Sequence, residues 1–269
     1  MLTVRVGCEF TWKPEVLTEA VFQVEPRSDG PHLIRQSWTT SPFLPSRIYT
    51  DSFGNTCRRM ALTPGDVSIG YLADAVVPDG IDAADLDAPE VSPVDLPDNV
   101  LDFTLPSRFC HSEVLADAAW EHFGALPPGY RRVQSIADFV HDHVKFSPGS
   151  SAPTTTAVDV YNSQKGVCRD FAHLMITFCR ALNIPARYAF GYLPDIGVPV
   201  SDDPMDFCAW TEVFLGGQWY TFDPRNNLRR AGRVLIGRGR DAVDVAMVTA
   251  FGGAQLVTML VVAEPLPSV

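Results

Sequence analysis

The stretch Gly166-Val167-Cys168-Arg169-Asp170-Phe171-Ala172-His173 decides how the rest of the chain is read. It sets a cysteine at the mouth of an apolar helix, directly after a glycine that can make the tight turn leading in. A thiol there lies in the positive field of the helix N-terminus, which favours thiolate over thiol. The same residues would also serve as the first turn of an ordinary core helix. The choice between chemistry and packing therefore falls to the flanking sequence.

Downstream, Leu174, Ile176, Phe178 and Leu182 predict a mostly buried helix from Val167 to about Leu182, stopped by Asn183 before Ile184-Pro185. A strand is expected over 186–192, then a polar, proline-rich loop over 194–204. Strands over 207–215 and 218–223 flank Gly216-Gly217, a two-residue hairpin turn. Upstream, Ser112 is a candidate N-cap for a helix running to Phe123, and Pro127-Pro128-Gly129-Tyr130 breaks it. A second helix over 131–144 carries Val133, Ile136, Ala137, Val140 and Val144 on one face. A short helix from about Thr156 leads into the opening stretch. His141 and His143, two apart, fall on different sides of their helix and suit no shared metal.

Residues 2–77 read as β structure. Leu2, Val4 and Val6 alternate with Thr3, Arg5 and Gly7, and further strands are expected over 20–24, 33–40, 47–50, 56–62 and 67–77. Short strands at this spacing predict a small antiparallel sandwich. From Pro78 to about Asn99 the chain carries Pro78, Pro89, Pro93 and Pro97 among aspartates, the composition of a solvated tether. The expected division is an N-terminal β domain (1–77), an acidic proline-rich linker (78–110) and a third segment (111–269). The fold class is α+β.

Bulk composition narrows the function. Among 269 residues, 32 Asp and Glu against 21 Lys and Arg give a net charge of −11, which argues against a nucleic-acid partner. No run is long enough to span a bilayer, and the N-terminus lacks a signal-peptide core. The six cysteines form no CxxC pair, and no metal-ligand cluster or cofactor fingerprint appears. Gly237-Arg238-Gly239-Arg240-Asp241 reads as a turn, its arginines pairing with Asp241 or Asp244. The expectation is a cytoplasmic protein with free thiols, no metal and no cofactor.

The hairpin permits a geometric deduction. A two-residue turn at Gly216-Gly217 puts Leu215 opposite Gln218 and Trp210 opposite Asp223. Position 208 then shares a face with Asp223, diagonal to it at roughly 7–8 Å between backbones. If that face covers the mouth of the central helix, Cys168, residue 208 and Asp223 form a line of nucleophile, base and orienter.

Gly-Val-Cys-Arg-Asp-Phe-Ala-His at 166–173, followed by Ala-Trp-Thr-Glu-Val-Phe-Leu-Gly-Gly-Gln-Trp-Tyr-Thr-Phe-Asp-Pro at 209–224, resembles the bacterial transglutaminase-like superfamily. These are papain-type thiol enzymes with a Cys-His-Asp triad. The resemblance to their catalytic domain runs from about Val114 to Phe251, and the first ~80 residues resemble the β domain that often precedes it. It implies Cys168 as nucleophile and Asp223 as orienting acid, with Gly166 and Gln164 helping to shape an oxyanion site. Trp210 is expected in the core or pocket wall, and the implied substrate is a peptide, a protein or a small acyl compound.

One position departs from the pattern. Where the family reads His-Ala-Trp, this chain reads Cys208-Ala209-Trp210. Imidazole titrates near neutrality and faces nucleophile and acid at once, whereas a thiol near pKa ~8.5 is a poor base and cannot bridge two partners. His173 lies five residues past Cys168, about 140° round the helix, and should point elsewhere. Three readings stay open at this level: thiol acyl transfer or hydrolysis without the histidine, a non-catalytic binding module on the same fold, and a redox-sensitive Cys168–Cys208 pair.

Overall fold

The computed structural model describes residues 1–200 and 204–267; residues 201–203 of the expected 194–204 loop lie outside them. The chain runs β1 (Leu2–Pro14), β2 (Thr18–Phe22), β3 (His32–Ser41), β4 (Ser46–Thr50), β5 (Thr56–Leu62), β6 (Val67–Val77), then α1 (Asp98–Leu101), α2 (Ala116–Phe123) and α3 (Tyr130–His143). It continues through β7 (Lys145–Phe146), α4 (Ala157–Ser163), β8 (Lys165–Gly166), α5 (Cys168–Ala181), β9 (Ala186–Tyr192), β10 (Cys208–Leu215), β11 (Gln218–Phe222) and β12 (Val234–Gly239). It ends with β13 (Val248–Phe251) and β14 (Ala254–Pro265). The architecture is α+β, with antiparallel pairing in three four-stranded sheets.

Strands β1–β6 form the body of a two-sheet antiparallel sandwich. Its sheets have the orders β14-β1-β6-β3 and β13-β2-β5-β4. Val4, Val6, Phe10 and Trp12 alternate inward along β1, and Phe10 meets Phe22 of the other sheet at 6.0 Å between ring centroids. Each sheet is completed by a C-terminal strand: Val4–Pro14 pair with β14, and β2 pairs with β13. The sequence reading placed residues 248–265 in the 111–269 segment. Partners more than two hundred positions apart leave no local signal beyond alternation.

The third sheet, β11-β10-β9-β12, carries α5 against β9 and β10. The hairpin register is the deduced one, with Leu215 opposite Gln218 and Thr211 opposite Phe222. Residues 234–239, read as ending in a turn, are instead strand β12 paired to β9 through a bulge. Arg240 does bind Asp244, while Arg238 binds Glu212 on β10. The expected tether also differs. Leu96 and Val100 pack on Phe214 of β10, and Phe103 meets Trp219 edge-on. The four prolines predicted a solvated chain, but sparse apolar residues at 96, 100 and 103 suffice to dock it.

Helix α5 is buried along most of its length. Asn183 ends it in the left-handed conformation (φ 61°), while Ile184 N–H closes on Cys179 O at 2.9 Å. Arg180, almost wholly buried, donates to the carbonyls of Phe103, Leu105, Ala186 and Arg240 and so ties helix, linker and sheet together. His173 points away from Cys168, as its helical position predicts. It stacks on Phe109, and its Nε2 accepts the Ala242 N–H at 3.1 Å.

Burial, reinforced by Arg169 and Arg180, pushes the His173 pKa well below the usual histidine value. Below about pH 6.5 the unfolded chain takes up a proton that the folded chain refuses, so stability falls as pH drops. One such group costs about 1.4 kcal/mol between pH 7.5 and 5.5. Urea denaturation at both values should show this loss in the wild type and its absence in His173→Asn.

Candidate active site

The mouth of α5 is built by Gly166, Val167 and Asp170. Asp170 is fully buried; its Oδ2 accepts the Val167 N–H at 2.8 Å and its Oδ1 accepts from Ser151 Oγ at 3.0 Å and Arg169 Nε at 3.2 Å. Gly166 makes room for this arrangement, because a Cβ there would lie 2.7 Å from the Asp170 Cβ. The carboxylate fixes the entry angle of the helix and thereby the position of Cys168, its first residue. Gln164 sits exposed two residues before Gly166 and caps α4 in the left-handed conformation (φ 56°). Its carbonyl holds Lys145 N–H at 2.9 Å.

Cys168 is half-buried, and its thiol lies 3.8 Å from Phe207 O at the start of β10. It shares an apolar cluster with Cys208, Trp210, Ala189, Leu193 and Leu235. The hydrogen bond from Cys208 pulls the Cys168 pKa below the usual thiol value, with help from the Ala209 backbone and Arg225 against burial and the Asp206 charge. Cys208 moves the opposite way, well above the ordinary value, because it holds the shared proton beside Cys168 and is itself buried near Asp223. The pair is therefore unequal: Cys168 ionises more readily than an ordinary thiol and Cys208 less readily. The field of the α5 N-terminus acts in the same direction.

Asp223 follows directly on β11 and is 5% exposed. Its carboxylate is occupied by Asn226, through the N–H at 3.1 Å and Nδ2 at 2.9 Å, and by Arg233 Nη2 at 2.9 Å. Arg233 was not singled out from the sequence. It precedes β12, is 8% exposed, lies 4.8 Å above the Trp210 ring and donates Nε to Asp82 of the linker at 3.0 Å. Its charge draws the Cys208 pKa down, against the other influences. Arg233 Nη1 and Trp210 Nε1 are both buried without a hydrogen-bond partner. The sequence signal for Arg233 is an arginine opening an apolar run, Val234-Leu235-Ile236, just before the 237–241 stretch whose composition suggests a turn.

The structure thus brings Cys168, Cys208 and Trp210 into one cluster, with Asp223 within electrostatic reach of Cys208. Gly166 shapes the helix mouth, and Gln164 stands outside this packing. None of the six histidines hydrogen-bonds to Cys168, Cys208 or Asp223 among the described residues. His141 instead contacts the carbonyls of Pro224 and Arg225. No group of three or more His, Cys, Asp or Glu close enough to hold a metal ion occurs among the described residues.

Residues 119–224 match the family model of the transglutaminase-like superfamily core. The crystal structure of a "Putative Cysteine Protease" from Cytophaga hutchinsonii is 32% identical and superimposes with a TM-score of 0.88, covering 99% of this chain and 91% of that one. This chain belongs to the transglutaminase-like superfamily. The similarity takes in the N-terminal sandwich as well as the core, and the core is a papain-like transglutaminase fold. A curated relative, the uncharacterized protein ML0607 of Mycobacterium leprae, is 31% identical over 119 residues, which is 43% of this chain and 42% of its own length. The chain therefore matches less than half of that relative.

Two consequences can be measured. Removing the Cys208 donor takes away the main influence that lowers the Cys168 pKa, so Cys208→Ala should shift the midpoint of its pH-dependent iodoacetamide labelling upward. An unchanged midpoint would mean that the thiol pair is not polarised as described. Arg233→Met should cost about 3–5 kcal/mol in urea unfolding, since it leaves Asp223 and Asp82 buried without their cation.

Proposed function

We propose that this protein is a thiol acyl-transfer or hydrolytic enzyme in which Cys168 is the nucleophile and Cys208 stands where superfamily members carry the triad histidine. The observation that carries this reading is the polarised thiol pair at the mouth of α5, in a transglutaminase-like core. A Cys168 thiol that ionises more readily than usual has less need of a base for the attack itself. Cys168 Sγ adds to the acyl carbon, the leaving group departs, and water or an amine then takes the acyl group from sulfur. The N–H groups of Cys168 and Arg169 in the first turn of α5 are the proposed oxyanion donors, since the next N–H, of Asp170, is already bonded to Val167 O, with Gly166 keeping the approach open and Gln164 flanking it.

The lost imidazole matters most for the leaving group. An amine must be protonated to depart, and the Arg233 guanidinium cannot supply that proton at neutral pH. A thiolate leaves without one. The proposed substrates are therefore activated acyl groups, thioesters first, on a small molecule, a peptide or a protein, with amides turned over poorly. Asp223, held by Arg233 and Asn226, acts as a charge that keeps Cys208 protonated rather than as the partner of a base. Trp210 packs in the same apolar cluster as the two thiols.

A second reading, a non-catalytic binding module on the same fold, is favoured by one observation. The carboxylate that would orient a base is already engaged by an internal arginine. No helix among the described residues is long and apolar enough to cross a membrane. All six cysteines are unbridged, and we place the protein in the reducing cytoplasm.

Cys208→His decides between the readings. An imidazole there should raise hydrolysis of aryl ester or peptide amide substrates by about 10²-fold or more. Adding Arg233→Met should raise it further, by freeing Asp223 for the new ring. A folded Cys208→His protein with no gain, together with no thioesterase activity in the wild type, would leave the binding module.

A further inference from the structure

The site holds two cysteines in one apolar cluster, the outer one half-buried and the more readily ionised, with the buried Arg233 cation acting on the inner one and, among the described residues, no histidine bonded to either. For acyl transfer this is a handicap; for reaction with an oxidant it is a complete set of parts. We infer that the Cys168–Cys208 pair reduces hydroperoxides, closing a reversible disulfide between α5 and β10. The inference shares with the acyl-transfer reading only the thiolate at Cys168.

Accessibility sets the order of events. Cys168 is half-buried and Cys208 is 8% exposed, so an incoming peroxide meets Cys168 first. The Cys168 thiolate attacks the terminal oxygen of ROOH and the O–O bond breaks. Sulfur is oxidised to the sulfenic acid, while RO⁻ leaves and takes up a proton to become ROH. The proton is available beside it on Cys208.

The charge at position 168 then releases the thiol at 208. Before oxidation, the hydrogen bond to the Cys168 thiolate and its charge hold Cys208 protonated, together with burial and Asp223. A neutral sulfenic acid removes the two contributions from Cys168 and leaves the opposing charge of Arg233 in place. Arg233 cannot drift away, because Asp223 and Asp82 hold it on two sides and Trp210 lies against its face. The Cys208 thiolate attacks Cys168 Sγ, the S–O bond breaks, and the departing hydroxide takes from solvent the proton that Cys168 released on ionising, leaving as water. The sum is two thiols plus ROOH giving one disulfide, ROH and water, and an external dithiol restores the pair.

Neighbouring elements supply the remaining geometry. Position 168 opens α5, position 208 opens β10, and helix and strand pack directly on each other. A bridge requires α-carbons within roughly 7 Å. The cluster of Ala189, Leu193, Trp210 and Leu235 around the sulfurs limits entry of water, which protects the sulfenic acid until Cys208 attacks.

The test uses the full-length, fully reduced chain with one equivalent of hydrogen peroxide at pH 7, oxygen excluded. The free-thiol count should fall from six to four, and peptide mass spectrometry should find Cys168 joined to Cys208. The reaction should run at least about tenfold faster than with free cysteine. Cys208→Ser should stop at a Cys168 sulfenic acid trapped by dimedone, and Cys168→Ser should lose the fast phase. Arg233→Lys, which keeps a cation, should slow disulfide closure in Cys168-sulfenylated protein less than Arg233→Met does. Six thiols remaining after exposure, or over-oxidation of Cys168 without a bridge to Cys208, overturns the inference. Thioester hydrolysis by the reduced protein, assayed in parallel, reads the acyl-transfer proposal separately. Slow iodoacetamide labelling of Cys168 would remove the thiolate on which both depend.

Discussion

The ion pair between Asp223 and Arg233 constrains everything around the candidate site. In a Cys-His-Asp enzyme the carboxylate sits behind an imidazole and sets its tautomer. Here a guanidinium has taken that carboxylate, anchored from the other side by Asp82. A buried Asp223 without any cation would be costly, so an aspartate at 223 beside a cysteine at 208 needs another positive group close by. Arg233 is that group. The pair also joins three parts of the chain that are distant in sequence: the linker through Asp82, the hairpin through Asp223, and the residue entering β12.

Much of this was legible in the sequence, for identifiable reasons. The Gly216-Gly217 turn fixes the register of β10 and β11, and side-chain alternation then places Cys208 on the face of Asp223 without any tertiary information. The α5 boundaries followed from Asn183 and from the apolar run after Gly166. Contacts made at long range were not legible. Strands β13 and β14 lie at one end of the chain and their partners at the other, and the proline-rich linker docks through three well-spaced apolar residues. Arg233 was hidden for the same reason, since its meaning depends on Asp82, 151 positions away.

A cysteine at position 208 sets what charge the site can hold. Thiolate and imidazolium form an ion pair that is neutral overall and keeps a proton ready for a leaving group. Thiolate and thiol share a single proton and carry one negative charge, balanced at a distance by Arg233 and Arg225. Such a site retains nucleophilicity and loses acid catalysis. On the proposed readings that asymmetry favours electrophiles whose leaving groups depart as stable anions, a description that covers both thioesters and peroxides.

The N-terminal sandwich gives this chemistry a rigid back wall. Phe10 of β1 stacks on Phe207, the residue before Cys208, at 6.5 Å between centroids, and Tyr192 of β9 donates its hydroxyl to Val24 O at 2.8 Å. Asn55 clamps the backbone of Arg238 through both its N–H and its carbonyl. Strands β9, β10 and β12 are thus held from the sandwich side, while α5 covers β9 and β10. The distance between the two sulfurs is then set by the packing of α5 on β10, with Asp170 fixing one end and Phe207 the other. A small thiol in place of a large imidazole would leave a void in a softer scaffold. Here Arg233 sits over the Trp210 ring and is bonded to Asp223, so the side chain that neutralises the buried carboxylate also packs on the wall that Trp210 shares with Cys208.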